Sequence, residues 1–135
     1  VNLLLLEFLG SIRVIGNQSK EAMETTVKLR HIKQSARKVR FILNEVRGMK
    51  VDTALEKLFI SNKKASLTIK KAIESGVANL INLENEFNKN DLYISSAYVD
   101  EGPSMKRFRP RAMGRASAII KRSCHLTLTL TNKSK

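Results

Sequence analysis

The chain has 135 residues, 42% of them hydrophobic, and a single cysteine, Cys124. That length and content suit one globular domain with a modest core, or a smaller core plus an extension. One cysteine excludes an intramolecular disulfide and fits a reducing compartment, and no stretch nears the roughly 20 apolar residues of a membrane span. Lys and Arg number 25 against 12 Asp and Glu, a formal charge of +13. Solubility asks for a net charge of only about 2–8, and a larger excess repels itself in the folded state, so the surplus implies a partner that supplies negative charge. Nucleic acid is the first candidate, because every phosphate is a site for Lys or Arg.

The N-terminal segment Val1–Leu9, VNLLLLEFL, is apolar but interrupted by Glu7, and it lacks the basic leader of a signal peptide. Residues 1–22 set Arg13 and Lys20 against Glu7 and Glu21, so the whole +13 falls on residues 23–135. That shift, followed by Gly16-Asn17-Gln18-Ser19, places the start of the working domain near Met23.

Thr25–Arg30 is short and partly alternating, as an edge strand would be. Ser35 reads as a helix N-cap, after which Ala36, Val39, Leu43 and Val46 share one face while Arg37, Lys38, Arg40 and Arg47 point elsewhere. Gly48 supplies the helix stop. A second short helix is expected after Asp52, with Ala54, Leu55, Leu58 and Phe59 buried. A third, about Lys63 to Leu83, carries the stripe Ala65, Ile69, Ala72, Ile73, Gly76, Val77 and Leu80. Gly76 costs about 1 kcal/mol against Ala inside a helix, which suggests close packing there. Asn82–Asp91 reads as a polar loop. The period then changes: Tyr93–Val99 is β-prone, and Leu126, Leu128 and Leu130 alternate with Thr127, Thr129 and Thr131 in the pattern of a half-buried strand. The order predicts an α+β fold, three helices packed on a small antiparallel sheet with a long protruding β-hairpin at about 99–125.

The hairpin segment Met105–Arg122, MKRFRPRAMGRASAIIKR, holds seven cations in eighteen residues and no acid. Lys106, Arg107, Arg109 and Arg111 crowd its first part, and Arg115, Lys121 and Arg122 follow. Arginine predominates, as expected for planar contact with phosphate. Pro110 breaks a helix, and Gly114 permits a positive φ. Phe108 either stacks on a base or packs across the hairpin. A two-stranded hairpin is marginal alone, so its partner is expected to order it. Asp100 and Glu101 at its base are expected to form local salt bridges rather than a catalytic pair.

A second basic patch, Arg30, His31, Lys33, Arg37, Lys38 and Arg40, surrounds the first helix. A helix-turn-helix DNA reader is disfavoured, because Thr53–Ser61 offers Glu56 and Lys57 but no Arg, Asn or Gln to read bases. Lys63, Lys64, Lys70 and Lys71 suit phosphate attraction more than base reading. His31, His125 and Cys124 have no zinc-ligand spacing, no cofactor is implied, and no catalytic constellation supports an enzyme. Membrane association through Val1–Leu9 is the weaker alternative.

These blocks carry a resemblance. VDEGPSMKR at Val99–Arg107, RPRAMGRASAIIKR at Arg109–Arg122 and HLTLTL at His125–Leu130 closely resemble the bacterial-type twenty-second protein family of the large ribosomal subunit. The family spacing runs from a basic residue, Lys106, across four residues to Arg111, then Ala112, Gly114 and Arg115, then across nine residues to His125. Met23–Leu58 and Asn62–Leu80 are similar to its N-terminal block and Lys-rich third helix. Residues 1–22 have no counterpart and stand outside the pattern as an artefact of translation, a cloning remnant or a genuine addition.

The resemblance implies a structural, non-enzymatic protein on the ribosome, in the cytoplasm or in an organelle. It would bind large-subunit rRNA, support assembly, touch neighbouring ribosomal proteins, and bind neither DNA nor membrane. The implied rRNA-binding residues are Lys28, Arg30, Lys33, Arg37, Lys38, Arg40, Arg47, Lys63, Lys64, Lys70, Lys71, Arg109, Arg111, Arg115, Lys121 and Arg122. The implied hairpin tip, lining the nascent-peptide tunnel, comprises Ser104, Met105, Lys106, Arg107, Phe108, Pro110, Ala112, Met113 and Gly114, with nascent peptide and macrolide antibiotics nearby. About ten residues a side at roughly 3.3 Å each would reach on the order of 30 Å.

Overall fold

The Leu–Thr alternation near the C-terminus becomes the middle of a sheet. In the computed structural model, which describes residues 24–83 and 92–132, the elements run β1 (Glu24–Ile32), α1 (Ala36–Val46), α2 (Val51–Ile60), α3 (Lys64–Leu83), β2 (Tyr93–Glu101), β3 (Met105–Pro110), a 3-10 turn (Ala112–Gly114), β4 (Ala116–Lys121) and β5 (Cys124–Thr131). The fold is α+β. β5 lies between β1 and β2 and pairs antiparallel with both, while β3 and β4 pair with each other as a separate two-stranded ribbon. The expected extension 1–22, the Met23 boundary and all but the start of the expected loop Asn82–Asp91 lie outside the described residues.

Leu126, Leu128 and Leu130 are 1% exposed or less, each contributing about 1.5–3 kcal/mol by leaving water. The opposite face is less open than a half-buried strand implies. Thr127 and Thr131 are buried too, because β5 has a strand on either side and Thr127 sits between Lys28 and Tyr98 across the ladder.

The helices cover the leucine face. The α1 stripe Ala36, Val39, Leu43 and Val46 is buried as expected, joined by Ile42, and the whole α3 stripe is buried. Ser35 occupies the α1 N-cap position, but its hydroxyl makes no capping bond; its carbonyl accepts from the Lys38 and Val39 amides. Gly48 has φ +77 and donates to the Ile94 carbonyl, so the helix stop also seats the chain against β2.

α2 begins at Val51, one residue ahead of Asp52, with the Thr53 hydroxyl donating to the Lys50 carbonyl at 2.9 Å. Ala54 and Leu58 are buried and Leu55 is half-buried, but Phe59 is 79% exposed. The buried positions Val51, Ala54 and Leu58 already fill the stripe of this short helix, and Phe59 turns outward beneath the Lys70 ammonium, 5.4 Å from the ring centre.

Gly76 is where α3 meets the sheet most closely. A Cβ there would stand 2.7 Å from Leu130 Cδ1 and 3.1 Å from Val27 Cγ2. Alanine adds about 1 kcal/mol of helix propensity, but forcing a methyl into a packed core costs about 1–3 kcal/mol. Gly76→Ala is therefore expected to lower stability by roughly 1 kcal/mol net, read as a lower urea midpoint at unchanged slope.

Candidate nucleic-acid interface

The ribbon is built by a break in the main sheet. Pairing of β2 with β5 continues to Glu101↔Cys124 and then stops. Pro103 has no amide proton for the ladder. Gly102 N–H instead donates to the Ser123 carbonyl at 3.0 Å, and the Ser123 hydroxyl donates to the Pro103 carbonyl at 2.7 Å. A Cβ on Gly102 would lie 2.6 Å from Ser123 Oγ, so a side chain here would have to displace the hydroxyl that holds the Pro103 carbonyl. The ribbon resumes at Met105↔Lys121 and closes at Pro110↔Ala116. Each strand has six residues, about 20 Å at roughly 3.3 Å per residue. The independent ribbon is thus shorter than the expected arm, because the outer part of 99–125 belongs to the body's sheet.

Residues directly opposite on an antiparallel pair share a face. Met105/Lys121, Arg107/Ile119 and Arg109/Ser117 therefore make a cationic face, and Lys106/Ile120, Phe108/Ala118 and Pro110/Ala116 a mainly apolar one. Phe108 is 75% exposed. Its cross-strand neighbour Ala118 is too small to cover it, so packing across the hairpin is not what occupies the ring. At the tip, Met113 and Gly114 both take positive φ, 57° and 68°. Arg111 N–H donates to the Arg115 carbonyl at 2.7 Å, closing the turn. Gly114 takes the conformation its type suggested; Met113 takes one that costs an L-residue about 1–2 kcal/mol, with its side chain 94% exposed.

The root of the ribbon is fixed by the two histidines. His31 has φ 56, at an irregularity in the β1–β5 register, and its N–H donates to His125 Nδ1 at 3.0 Å. The rings meet edge to face, centres 4.8 Å apart. Cys124 beside them is buried. Desolvation pushes its thiol pKa up against the opposing pull of the Arg40 guanidinium. Among the described residues no cluster of His, Cys, Asp or Glu could hold a metal, and no helix is long and apolar enough to cross a membrane.

The predicted basic residues divide into committed and uncommitted groups. Arg40 donates through Nε and Nη2 to the Val99 carbonyl at 3.0 and 2.7 Å, and Arg47 through Nη2 to the Ala97 carbonyl at 2.7 Å. Together with the backbone bonds joining Gly48 and Met49 to Ile94, these donors cover β2 on the side with no neighbouring strand, an edge that must otherwise be protected. Lys70 pairs with Glu74 at 3.8 Å and sits over Phe59. Arg107 donates to the Lys106 carbonyl at 2.9 Å, and Arg111 to Ser117 Oγ at 3.3 Å.

Lys28, Arg30 and Lys71 are exposed on β1 and α3, and Lys106, Arg109 and Arg115 on the ribbon. Lys33, Arg37, Lys38, Lys63 and Lys64 on the body gather with Lys121 and Arg122 of the ribbon root around one cleft. Ser104 and Ala112 are exposed at the root and the tip. The salt bridges expected of Asp100 and Glu101 do not form among the described residues, where Lys70–Glu74 is the single ion pair; both carboxylates remain exposed at the ribbon base.

The model of the ribosomal protein L22p/L17e family matches residues 27–131 of this chain. The chain belongs to that family. It is accordingly a structural, non-enzymatic protein of the large ribosomal subunit, and the resemblance seen in the ribbon and third-helix blocks is upheld. The match takes in all three helices, the complete ribbon and the three-stranded sheet apart from the first three residues of β1, so every cation of the surface described above, from Lys28 to Arg122, falls inside it.

What sequence reasoning missed is Phe41, which is 63% exposed and faces the same cleft. The available signal was phase: Phe41 lies off the stripe Ala36–Val39–Leu43–Val46, so a bulky apolar group there had to point away from the core.

Arg40→Ala is expected to cost about 1–2 kcal/mol, the scale of a lost charge-assisted bond, whereas Arg37→Ala, which breaks no contact, should stay within about 0.5 kcal/mol. Thermal melting of the two variants against the parent chain separates the committed from the uncommitted arginine.

Proposed function

We propose that this chain binds large-subunit rRNA as a single domain over 23–135, with its body anchored on the RNA surface and its ribbon inserted into it. The observation that carries this is the set of cations without an ion pair or side-chain hydrogen bond among the described residues. Lys33, Arg37, Lys38, Lys63, Lys64, Lys121 and Arg122 surround a cleft lined by no acid, and the ribbon beyond it is exposed and wholly basic in its charge. Phosphate contacts of this kind supply most of the affinity for nucleic acid.

In this reading the outer part of Ser104–Gly114, from Arg107 to the turn at Ala112–Gly114, lines the nascent-peptide tunnel beside the growing chain and the macrolide site, Ser104 and Met105 lie at the ribbon root, and neighbouring ribosomal proteins meet the body. The ribbon's two faces suit the division: Arg107, Arg109 and Lys121 lie toward phosphate, while Phe108, Pro110 and Ile120 offer a surface of low charge. A ribbon of two strands gains order from the RNA that holds it, which ties binding to subunit assembly.

Binding of the full chain to large-subunit rRNA should fall by about a thousandfold between 50 and 200 mM salt, the range for six or more phosphate contacts. A titration that stays flat overturns the electrostatic reading. Replacing Lys106, Arg107 and Arg109 together with Ala should change macrolide sensitivity of the ribosome while the isolated chain's melting curve stays where it was.

A further inference from the structure

The cleft between the ribbon root and the helices has a chemistry that phosphate attraction alone does not explain. It measures about 1430 Å³, more than the roughly 300–1,000 Å³ of a small-ligand pocket, and it is open, which suits a length of polymer. Its rim carries seven cations, Lys33, Arg37 and Lys63 among them, with no Asp or Glu in the lining. None of the seven makes an ion pair or a side-chain hydrogen bond among the described residues.

The same lining also carries apolar side chains. Phe41 from α1 and Met105 and Ile120 from the ribbon root line it, at 63%, 61% and 49% exposure. Each could have been a lysine at no cost to the core, since none is buried. Duplex RNA offers a protein mainly phosphates and 2′-hydroxyls, and presents no base face to such side chains. Single-stranded RNA turns out unpaired bases, which stack on exposed aromatic rings while cations track the backbone.

We infer that this cleft holds a single-stranded segment of RNA, with an unpaired base seated against Phe41 between α1 and the ribbon root. The inference rests on the RNA-binding reading above and adds a strandedness and a base contact to it. An acidic protein segment would use the same rim but has no planar group for Phe41, which is why RNA is favoured. Because α1 and the ribbon root both line the cleft, a strand bound here would brace the ribbon against the body at the Gly102–Ser123 crossing.

The test uses the full chain and two fluorescein-labelled probes of mixed sequence and equal length, one single-stranded RNA and one duplex RNA, titrated across a salt series. Phe41→Ala is expected to weaken single-strand binding by about tenfold, the scale of one lost base–aromatic stack, with the salt slope and the duplex affinity unchanged. Phe41→Trp should restore or tighten single-strand binding. Lys63→Ala combined with Lys121→Ala should instead reduce the salt slope for both probes. An unchanged single-strand affinity in Phe41→Ala, or an equal loss on both probes, overturns the base seat while leaving RNA binding in place. A parent chain that binds neither RNA, or binds a polyglutamate peptide better than single-stranded RNA, overturns this inference and the RNA-binding reading together. Phe41 is exposed, so each variant's melting curve should match the parent's.

Discussion

The antiparallel pairing of β2 with β5 is the constraint on which the rest of this molecule depends. It joins the segment before the ribbon to the segment after it, residue against residue, as far as Glu101↔Cys124. The ribbon is the continuation of that ladder past a break, so its origin and direction are set by the body's sheet. The break is local chemistry: a proline that cannot donate, a glycine whose Cβ would strike Ser123, and two hydrogen bonds that carry the chain across. His125 then ties the same point to β1 through the His31 amide. Three strands thus converge where the basic arm leaves the body.

The same strand pair governs how charge is used. β2 is an edge strand, and an open edge of backbone carbonyls invites wrong partners. α1 supplies Arg40 to it and the helix's C-cap residue, Arg47, supplies a second donor, so two arginines of this basic segment hold the fold together. The cations left over are those with no carbonyl or carboxylate in reach. Several of them collect between α1, the start of α3 and the ribbon root, around a cleft with no acid in its lining. A surface of this kind is self-repelling until a polyanion arrives, which agrees with a structural role inside a ribonucleoprotein such as the large ribosomal subunit.

Much of this was legible beforehand, and for reasons that can be named. The α3 stripe and the β5 alternation were readable because burial on one face imposes a period on the sequence. Gly76 announced its contact because a glycine inside a helix is costly unless something needs the space; here Leu130 and Val27 do. The ribbon's basic run and its family spacing were readable because they are contiguous. Phe59 was misread because a short helix leaves the phase of its last turn undecided, and neighbours on α3 settled it. The ribbon's length was overread because a ladder that belongs to the body and one that stands alone have the same alternation.

The sequence by itself determined the α+β order of elements, the concentration of positive charge in 23–135, the positive φ at Gly48 and Gly114, and the family. Each of these is a local or additive property: period, composition, backbone sterics, spacing. Only the tertiary structure decided which cations are spent and which are free, since Arg37 and Arg40 look alike in sequence and differ in whether a β2 carbonyl lies within reach. It alone decided that Phe41 on α1 and Met105 and Ile120 on the ribbon line one basic cleft. Contacts between distant residues depend on how the helices dock on the sheet, and that docking is recorded in no single stretch of sequence.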